Sequence, residues 1–372
     1  MTVLTKLKIA LSAGLLMCPL FSQAVMVTDI TGRQVDVPDN VKRILLGEGR
    51  MIYPLSILEK DAPFKRVAGW QGDFRDLDVQ GYAAFKAVFP QTDAIPVVGG
   101  GSEDTFSVEK ALALQPDLVI LPMTGGHGPG AGSEAARLLT SAGIAVIHVD
   151  FSQHPVKNTQ LSMRILGQAI GKTAEAERFN QYYQQKMDDV ITRIPADIPA
   201  DKKPVIFVDY LPGLQECCGS PGKGSLTDMI NLAGGTAIGE AIIPGAIGKL
   251  NPEYILSRHP DVYVATGVFP EGSRGVTLGY SATPQAAQRS LKIISQRNPI
   301  GELSAVEKGR VHGLWHIFYD SPENIIALQA LAKWLHPELF ADLDPEATRK
   351  ELYEKFMPIP ATGVFSVTLD KE

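Results

Sequence analysis

Short apolar runs separated by helical patterns organise the chain. In the first half, runs rich in β-branched residues predict strands at 43–46, 67–70, 95–98, 118–121 and 144–149. The second half repeats this pattern with runs at 205–210, 262–265 and 310–314. Amphipathic segments such as 133–142 and 225–233 lie between the runs, and glycine follows each of them. Nearly continuous apolar strands that alternate with helices indicate parallel α/β sheets covered on both faces.

A faint internal repeat indicates two related lobes. The segment EKALALQPDLVILP, which begins at Glu109, is echoed by EYILSRHPDVYVAT, which begins at Glu253. Each copy predicts a short helix that breaks at Pro-Asp and leads into a strand. Ser107 and Asn251 precede the two helices as predicted N-caps. We therefore expect two doubly wound parallel sheets, one in each lobe.

The segment between the two halves has a helical period and no strand pattern. Its apolar residues recur at spacings of three and four, from Phe179 to Ile194, which predicts one helix over 173–194. Such a helix is about 33 Å long, enough to connect two lobes and leave a cleft between them. The predicted organisation is a leader at 1–24, a first lobe at 25–172, the helix at 173–194 and a second lobe at 195–372.

The N-terminus predicts export. Lys6 and Lys8 precede an apolar run at 9–21, and Ser22-Gln23-Ala24 follows it, which is typical of a secretory signal cleaved after Ala24. The run is shorter than the roughly 20 residues that a spanning helix needs. A lipid anchor on Cys18 is the alternative, but the bulky Met17 precedes it. We therefore expect a periplasmic protein.

Charge and cysteine content narrow the function. The chain has 35 basic and 41 acidic residues, a net charge of −6, whereas a nucleic-acid binder is expected to be basic. Only three cysteines are present, so no disulfide framework is expected. Cys217 and Cys218 are adjacent, and in an oxidising compartment they are predicted to form a vicinal disulfide. Two unlinked thiols are the alternative.

Catalytic and metal-binding motifs are absent from the sequence. It contains no GxSxG, HExxH or CxxC pattern, and its seven histidines are dispersed, so neither a metal site nor a cofactor is predicted. The loop at 217–225 differs from a phosphate-binding loop because Cys217 replaces its first glycine. A secreted enzyme with an active site between the lobes is the alternative class, with His316, Arg274 and Asp73 as candidates for acid–base chemistry.

Several segments together resemble one known family. They are VTDITGRQVDVP, RVAGW, LQPDLVILP, GSLTDMINLAGG, GVTLGYSATP and GLWHIFYDSPENIIALQALAKWLHPELFADLDPEAT. The chain resembles the periplasmic binding proteins of ABC importers for iron complexes, of the ferric-siderophore, haem and cobalamin type. This resemblance implies a class III fold of two α/β lobes joined by one long helix, a monomer, and uptake of a small-molecule metal chelate instead of catalysis. The implied partners are the membrane subunits of an ABC importer.

Aromatic and arginine side chains are the candidate ligand contacts. The stretch LWHIFYDSP follows the strand at 310–314, and ligands of open α/β sheets bind beyond the carboxyl ends of strands. Rings there could pack on a planar chelate, and arginine suits an anionic one. The predicted ligand-binding residues are Trp70, Arg75, Arg274, Tyr280, Trp315, His316, Phe318 and Tyr319. Burial of some rings in the core is the alternative.

The resemblance also implies an acidic docking residue on each lobe. Asp228 in GSLTDMINLAGG matches the position in the second lobe, although a helix-capping carboxylate is the alternative there. Glu48 is the candidate in the first lobe. The expected function is capture of a metal chelate, with a ferric siderophore as the first candidate and haem or cobalamin as the alternative.

Overall fold

The computed structural model describes residues 24–214 and 217–370. The strands are β1 Ala24–Thr28, β2 Gln34–Pro38, β3 Ile44–Leu46, β4 Val67–Gln71, β5 Val97–Gly99, β6 Leu118–Pro122, β7 Ala145–Val149, β8 Val205–Asp209, β9 Gly219–Pro221, β10 Thr236–Ala237, β11 Ile247–Lys249, β12 Val262–Gly267, β13 Val311–Trp315 and β14 Ser366–Thr368. The α-helices are α1 Ile52–Leu58, α2 Asp73–Leu77, α3 Val79–Val88, α4 Val108–Ala113, α5 Glu134–Ser141, α6 Pro155–Ala169, α7 Thr173–Ile191, α8 Leu226–Leu232, α9 Pro252–Ser257, α10 Pro284–Ser295, α11 Ser304–Glu307, α12 Asn324–Leu335 and α13 Pro345–Phe356. Of the predicted leader, 1–23 lies outside the described residues.

The first lobe is built on a parallel sheet of five strands in the order β5-β4-β3-β6-β7. All five predicted strands are present, with bounds shifted by one or two residues. Every residue of β6 and β7 is buried, which explains why both strands are apolar except for His148 in β7. The β1–β2 hairpin, which the sequence pattern did not predict, packs beside β7. Because β3 to β7 run parallel, their carboxyl ends form one edge of the lobe.

The second lobe is built on a five-stranded sheet in the order β10-β8-β12-β13-β14. Strands β8, β12 and β13 are the three predicted ones and run parallel. The last strand, β14, is antiparallel to β13, with His312 opposite Thr368. Strands β9 and β11 form a separate antiparallel pair, with α8 and β10 between them in the chain. The prediction of two α/β lobes with parallel sheets is confirmed, and the antiparallel edge strand is an addition to it.

The long helix connects the lobes as predicted, although it ends at Ile191 instead of 194. Helix α7 packs against α6 on one side and α12 on the other. The Tyr183 hydroxyl donates to Asn324 Oδ1 at 2.7 Å, and the Tyr182 hydroxyl donates to the Thr348 carbonyl at 3.0 Å. These bonds fix the helix to the second lobe. The exact lobe boundaries stay predictions.

Both predicted N-caps are confirmed. The Ser107 hydroxyl accepts from Lys110 N, and the Asn251 side chain accepts from Tyr254 N, as N-caps do. Ser225 makes no side-chain cap bond at the start of α8. Within residues 24–214 and 217–370, no helix is both long and apolar enough to cross a membrane.

Candidate ligand-binding cleft

The loops beyond the carboxyl ends of the strands meet between the lobes. Arg50 follows β3 in the first lobe, and its guanidinium reaches Tyr319 and Asp320, which follow β13 in the second lobe. His127 follows β6, and its Nε2 lies 3.3 Å from the Tyr319 hydroxyl. The cleft is therefore placed where ligands of open α/β sheets bind.

A cluster of buried charges forms the inner end of this cleft. We call Glu48, Arg50, Asp73, Tyr319 and Asp320 the inner cluster. Arg50 is only 2% exposed. Its Nε donates to Asp73 Oδ2 at 3.0 Å, and Asp73 also accepts from the backbone N–H of Gly49 at 2.6 Å. Arg50 is therefore held within its own lobe before it contacts the other one.

The contacts of Arg50 with the second lobe are longer. Its Nη1 donates to the Tyr319 hydroxyl at 3.4 Å. Its Nη2 lies 3.2 Å from Asp320 Oδ2, but the two groups are not aligned for a hydrogen bond. The Arg50–Asp320 ion pair across the lobes is longer and less well aligned than the Arg50–Asp73 pair within the first lobe, so it is the weaker of the two.

The inner cluster has more carboxylates than cations. Burial raises the pKa of Glu48 well above its usual range, and the charge of Asp320 adds to this effect. Burial also raises the pKa of Asp320 to about 6, although Arg50 opposes the shift. Lone carboxylates are costly to ionise away from water. Glu48 and Asp320 therefore retain protons more readily than exposed carboxylates do.

Two neutral imidazoles stand next to the inner cluster. Burial, followed by the charge of Arg50, lowers the pKa of His127 to about 4 and that of His316 to about 3. His127 Nδ1 lies 3.0 Å from the Gly101 carbonyl oxygen, and His316 Nδ1 lies 3.0 Å from Thr266 Oγ1. At neutral pH both rings can donate or accept a hydrogen bond without adding charge.

The segments that follow β4, β8 and β12 are more exposed than the inner cluster. We call Arg75, Leu77, Leu214, Phe269 and Arg274, which lie on these segments, the outer rim. The Arg75 side chain is 49% exposed and pairs with its neighbour Asp76 at 2.9 Å. Arg274 is exposed on the loop after β12. Its carbonyl oxygen packs against Gly213, and the φ of Gly213 is +93°. Leu77 and Leu214 are exposed apolar residues of the first and second lobes. The outer rim thus combines cationic and apolar groups.

The tryptophans that were predicted to line the cleft lie in the core. Trp315 is 0% exposed, and its ring packs against Tyr53 of the first lobe and against Phe365 near the C-terminus. Trp70 is buried against Phe64 and Phe74. As cleft-lining positions, both predictions are wrong in this structure, because rings from distant segments cover these side chains.

Phe318 and Tyr280, which were also predicted to bind ligand, are likewise buried in the core. Phe318 is fully buried, with its ring centroid 5.1 Å from that of Trp315. Tyr280 is also buried, and its hydroxyl lies 2.8 Å from the Tyr353 hydroxyl. The alternative of burial in the core therefore holds for these rings, because the turn after β13 lies between the two lobes. Tyr319 lies at the junction of the lobes, in contact with His127, and ligand contact by His316, Tyr319, Arg75 and Arg274 stays a prediction.

The two predicted docking residues differ in exposure. Glu48 is buried in the inner cluster, so its prediction as a surface docking residue is wrong for this conformation. Asp228 is partly exposed, and its Oδ2 lies 3.1 Å from His154 Nδ1 of the first lobe. Its side chain therefore contacts His154 instead of forming the predicted alternative, a helix cap.

Cys217 and Cys218 are joined by a disulfide in the structure. Cys218 is fully buried, and its carbonyl accepts from Leu250 N at 2.9 Å. Cys217 is partly buried at the edge of the core. In the described part of the chain, no group of three or more His, Cys, Asp or Glu side chains has an arrangement that could hold a metal ion.

Sequence reasoning missed Arg50, His127 and Gln80 as residues at the junction of the lobes. Gly47-Glu48-Gly49-Arg50 directly follows a predicted strand, and that position could have identified Arg50. His127 stands in the glycine-rich stretch TGGHGPG after β6, which offers the same signal. Gln80 lies inside a helix and has no comparable signal.

The chain belongs to the periplasmic binding protein family, whose model matches residues 79–314. Among solved structures, the TroA-like periplasmic binding protein FepB from Veillonella parvula is 27% identical, with a TM-score of 0.82 over 93% of this chain and 100% of that one. The molybdate periplasmic binding protein MolA from Haemophilus influenzae is 18% identical, with a TM-score of 0.69 over 91% and 99% of the two chains.

A third structure, CeuE from Helicobacter pylori in a nickel–histidine complex, is 17% identical, with a TM-score of 0.64 over 91% of this chain and 96% of that one. At such low identity, MolA and CeuE support the fold alone. No curated protein matches the chain. The family places the protein among the exported substrate-binding components of ABC importers, which is consistent with a cleft between two lobes.

Proposed function

We propose that the protein captures an anionic metal chelate between its lobes, with a ferric siderophore as the first candidate, and delivers it to an ABC importer in the periplasm. The observation that carries this proposal is the pair of exposed arginines, one on each lobe, beyond the ends of β4 and β12. Arginine keeps its charge at all relevant pH values and presents forked donors that suit carboxylate or catecholate oxygens.

The charge balance of the whole protein makes this pair informative. The chain is acidic overall, so the exposed arginines that follow β4 and β12 are the charges there that suit an anionic ligand. Leu77 and Leu214 add apolar surface next to them, as expected for a ligand with a planar or aliphatic body. His127, His316 and Tyr319 would supply neutral hydrogen-bonding groups deeper in the cleft.

Binding of a panel of chelates tests this function. Native mass spectrometry and quenching of tryptophan fluorescence would compare ferric tris-catecholate, ferric trihydroxamate, ferric dicitrate, haem and cobalamin. We expect anionic ferric chelates to bind best, with affinity that falls as salt rises because exposed charges are screened. Tighter binding of haem or cobalamin would favour the alternative ligand class.

The panel also separates a carrier from an enzyme. A carrier returns its chelate unchanged after long incubation, which chromatography of the released ligand would establish. Steady conversion of the ligand would support the alternative of a secreted enzyme and would contradict the transport proposal. Stimulation of the ATPase activity of a cognate importer by the loaded protein would support delivery, and a protein that is monomeric by light scattering would match the expected stoichiometry.

A further inference from the structure

Gln80 joins the two lobes through a fully satisfied side-chain amide. It is the second residue of α3 in the first lobe and is 6% exposed. Its Nε2 donates to the carbonyl oxygens of Val268 and Leu278, at 3.1 and 2.9 Å. Its Oε1 accepts from Ser281 N and Ser281 Oγ, at 2.9 and 2.7 Å. An amide has two donor hydrogens and two acceptor positions, and here the second lobe occupies all four.

The second lobe provides space for this side chain. Gly279 lies between the two partners Leu278 and Ser281, and a Cβ atom at Gly279 would stand 3.1 Å from Gln80 Oε1 and 3.2 Å from Gln80 Cδ. Gly279 has a φ of +119°, which favours glycine. Its N–H donates to the Val364 carbonyl at 2.7 Å, which fixes it in place. The receiving surface is therefore specific in shape as well as in hydrogen bonding.

The first lobe fixes the direction from which Gln80 approaches. Asp78 caps α3 by accepting from Gly81 N at 3.1 Å, and it also accepts from the Tyr53 hydroxyl at 2.5 Å. Tyr53 in turn accepts a 3.4 Å hydrogen bond from Tyr280 of the second lobe. The start of α3 is therefore held from both sides, and Gln80 projects from a fixed base.

The bonded segment 268–281 carries part of the outer rim. Phe269 and Arg274 lie on it, between the two points at which Gln80 holds the chain. We propose that Gln80 is a positioning residue for ligand capture: it fixes segment 268–281 of the second lobe to the first lobe and so sets the position of Arg274 in the cleft. The part of this proposal that concerns ligand rests on the proposed function.

An amide is the side chain that this environment requires. In Gln80→Glu, a carboxylate would face the carbonyl oxygens of Val268 and Leu278, and both would lose their donor. In Gln80→Ala the same carbonyls lose the donor without gaining a charge. We therefore expect Gln80→Glu to loosen segment 268–281 more than Gln80→Ala does.

Hydrogen exchange without ligand tests the positioning role directly. Peptides that cover 268–281 should exchange about tenfold faster or more in Gln80→Ala than in the wild-type protein, and faster again in Gln80→Glu. Peptides from β6 and β12 should not change. Gln288→Ala is the matched control, because Gln288 is a partly exposed glutamine whose bonds among the described residues, to Thr368 and Asp370, lie within the second lobe. Unchanged exchange at 268–281 in both Gln80 variants would overturn the proposal.

Ligand kinetics then test the consequence for capture. With whichever ferric chelate of the panel binds the wild-type protein, Gln80→Ala should dissociate about fivefold faster, while the association rate changes by less than about twofold. The effect should be smaller in an Arg274→Ala background, since the two residues act through one contact. Additive effects would contradict the link to Arg274.

The two proposals fail in distinguishable ways. If no chelate binds the wild-type protein, the proposed function fails, while hydrogen exchange still decides whether Gln80 positions the segment. If chelates bind and exchange at 268–281 is unaffected, only the role of Gln80 is wrong. Far-UV circular dichroism of each variant, measured at the same temperature, verifies that the compared proteins are folded.

Discussion

The inner cluster and the outer rim both contain arginine, and the contrast between them separates a structural arginine from a candidate for recognition. Arg50 is buried, and carboxylates of both lobes neutralise it. Arg75 has one exposed partner, and Arg274 is exposed on its loop. A guanidinium that the protein already neutralises has little charge left for a ligand. Availability in the folded state, more than residue type, decides which arginine suits an anionic chelate.

The aromatic residues follow the same division. Trp315 ends a strand in the second lobe and is enclosed by rings of both lobes. Its indole Nε1 has no hydrogen-bond partner among the described residues. Burial of the Trp315 ring therefore leaves one hydrogen-bond donor unsatisfied. The packing of several aromatic rings offsets the free-energy cost of that donor. The rings around Trp315 therefore contribute to stability, and under the proposed function the exposed arginines of the outer rim are the candidates for ligand contact.

The largest expected effect is at Trp315. Trp315→Ala should destabilise the protein by about 3–5 kcal/mol, because it removes a large ring from a closed core. Urea denaturation measures this loss, and Trp315→Phe, which keeps a ring in place, should lose clearly less. Chelate affinity of the folded fraction should stay unchanged. A loss of affinity with less than about 1 kcal/mol of destabilisation would restore the prediction that Trp315 contacts ligand.

The next effect is the pH dependence that Asp320 introduces. Its pKa is raised to about 6 in the folded protein, so the folded state binds this proton more tightly than the unfolded state does. The stabilisation from the bound proton is complete near pH 4 and is lost as pH rises through about 6. The free energy of unfolding should therefore fall by about 1–3 kcal/mol over this range from Asp320 alone.

Comparison with Asp320→Asn isolates this contribution. Burial also raises the pKa of Asp78 and Asp209 to about 6 and that of Glu323 to about 7, so the wild-type profile combines several groups. Asparagine cannot ionise, so the wild type and the variant should differ most in slope between pH 4 and 7. Parallel profiles would show that Asp320 titrates normally in the folded state.

At the outer rim the expected effect is on binding and not on stability. Arg274→Ala should weaken binding of an anionic ferric chelate at least tenfold, about 1.4 kcal/mol, with little change in melting temperature. Arg289→Ala is the control, because Arg289 is an exposed arginine of the same lobe that pairs with Glu271. Equal affinity of both variants and the wild type would remove Arg274 from the ligand site.

The strands were predictable because their signal is local. In β6 and β12 every residue is buried, and an unbroken apolar run of this length between turn residues is typical of a strand covered on both faces. The helix α7 was predictable for the same reason, since its period is visible within the segment. The antiparallel β14 was missed because its three residues are not fully buried and make no such run.

The site was only partly predictable because burial there depends on distant segments. Trp315 is covered by Tyr53 and Phe365, which lie far from it in sequence. Glu48 was expected at a surface because the resemblance implies an acidic docking residue on the first lobe, yet it is buried close to Asp320 and Arg50. The strand ends located the junction of the lobes, but sequence alone did not reveal which side chains are buried there.

The smallest expected effect concerns Cys217 and Cys218, which follow β8 near the outer rim. The disulfide links adjacent residues, so it closes almost no chain and removes little conformational entropy from the unfolded state. Mild reduction should therefore change the free energy of unfolding by less than about 1 kcal/mol, unlike reduction of a bond that closes a long loop. Intact mass after alkylation without reductant should show no modified thiol. Two alkylated cysteines in the native, air-oxidised protein would rule out the disulfide between Cys217 and Cys218. A large loss of stability on reduction would mean that this disulfide organises more of the second lobe than its position at the edge of the core indicates.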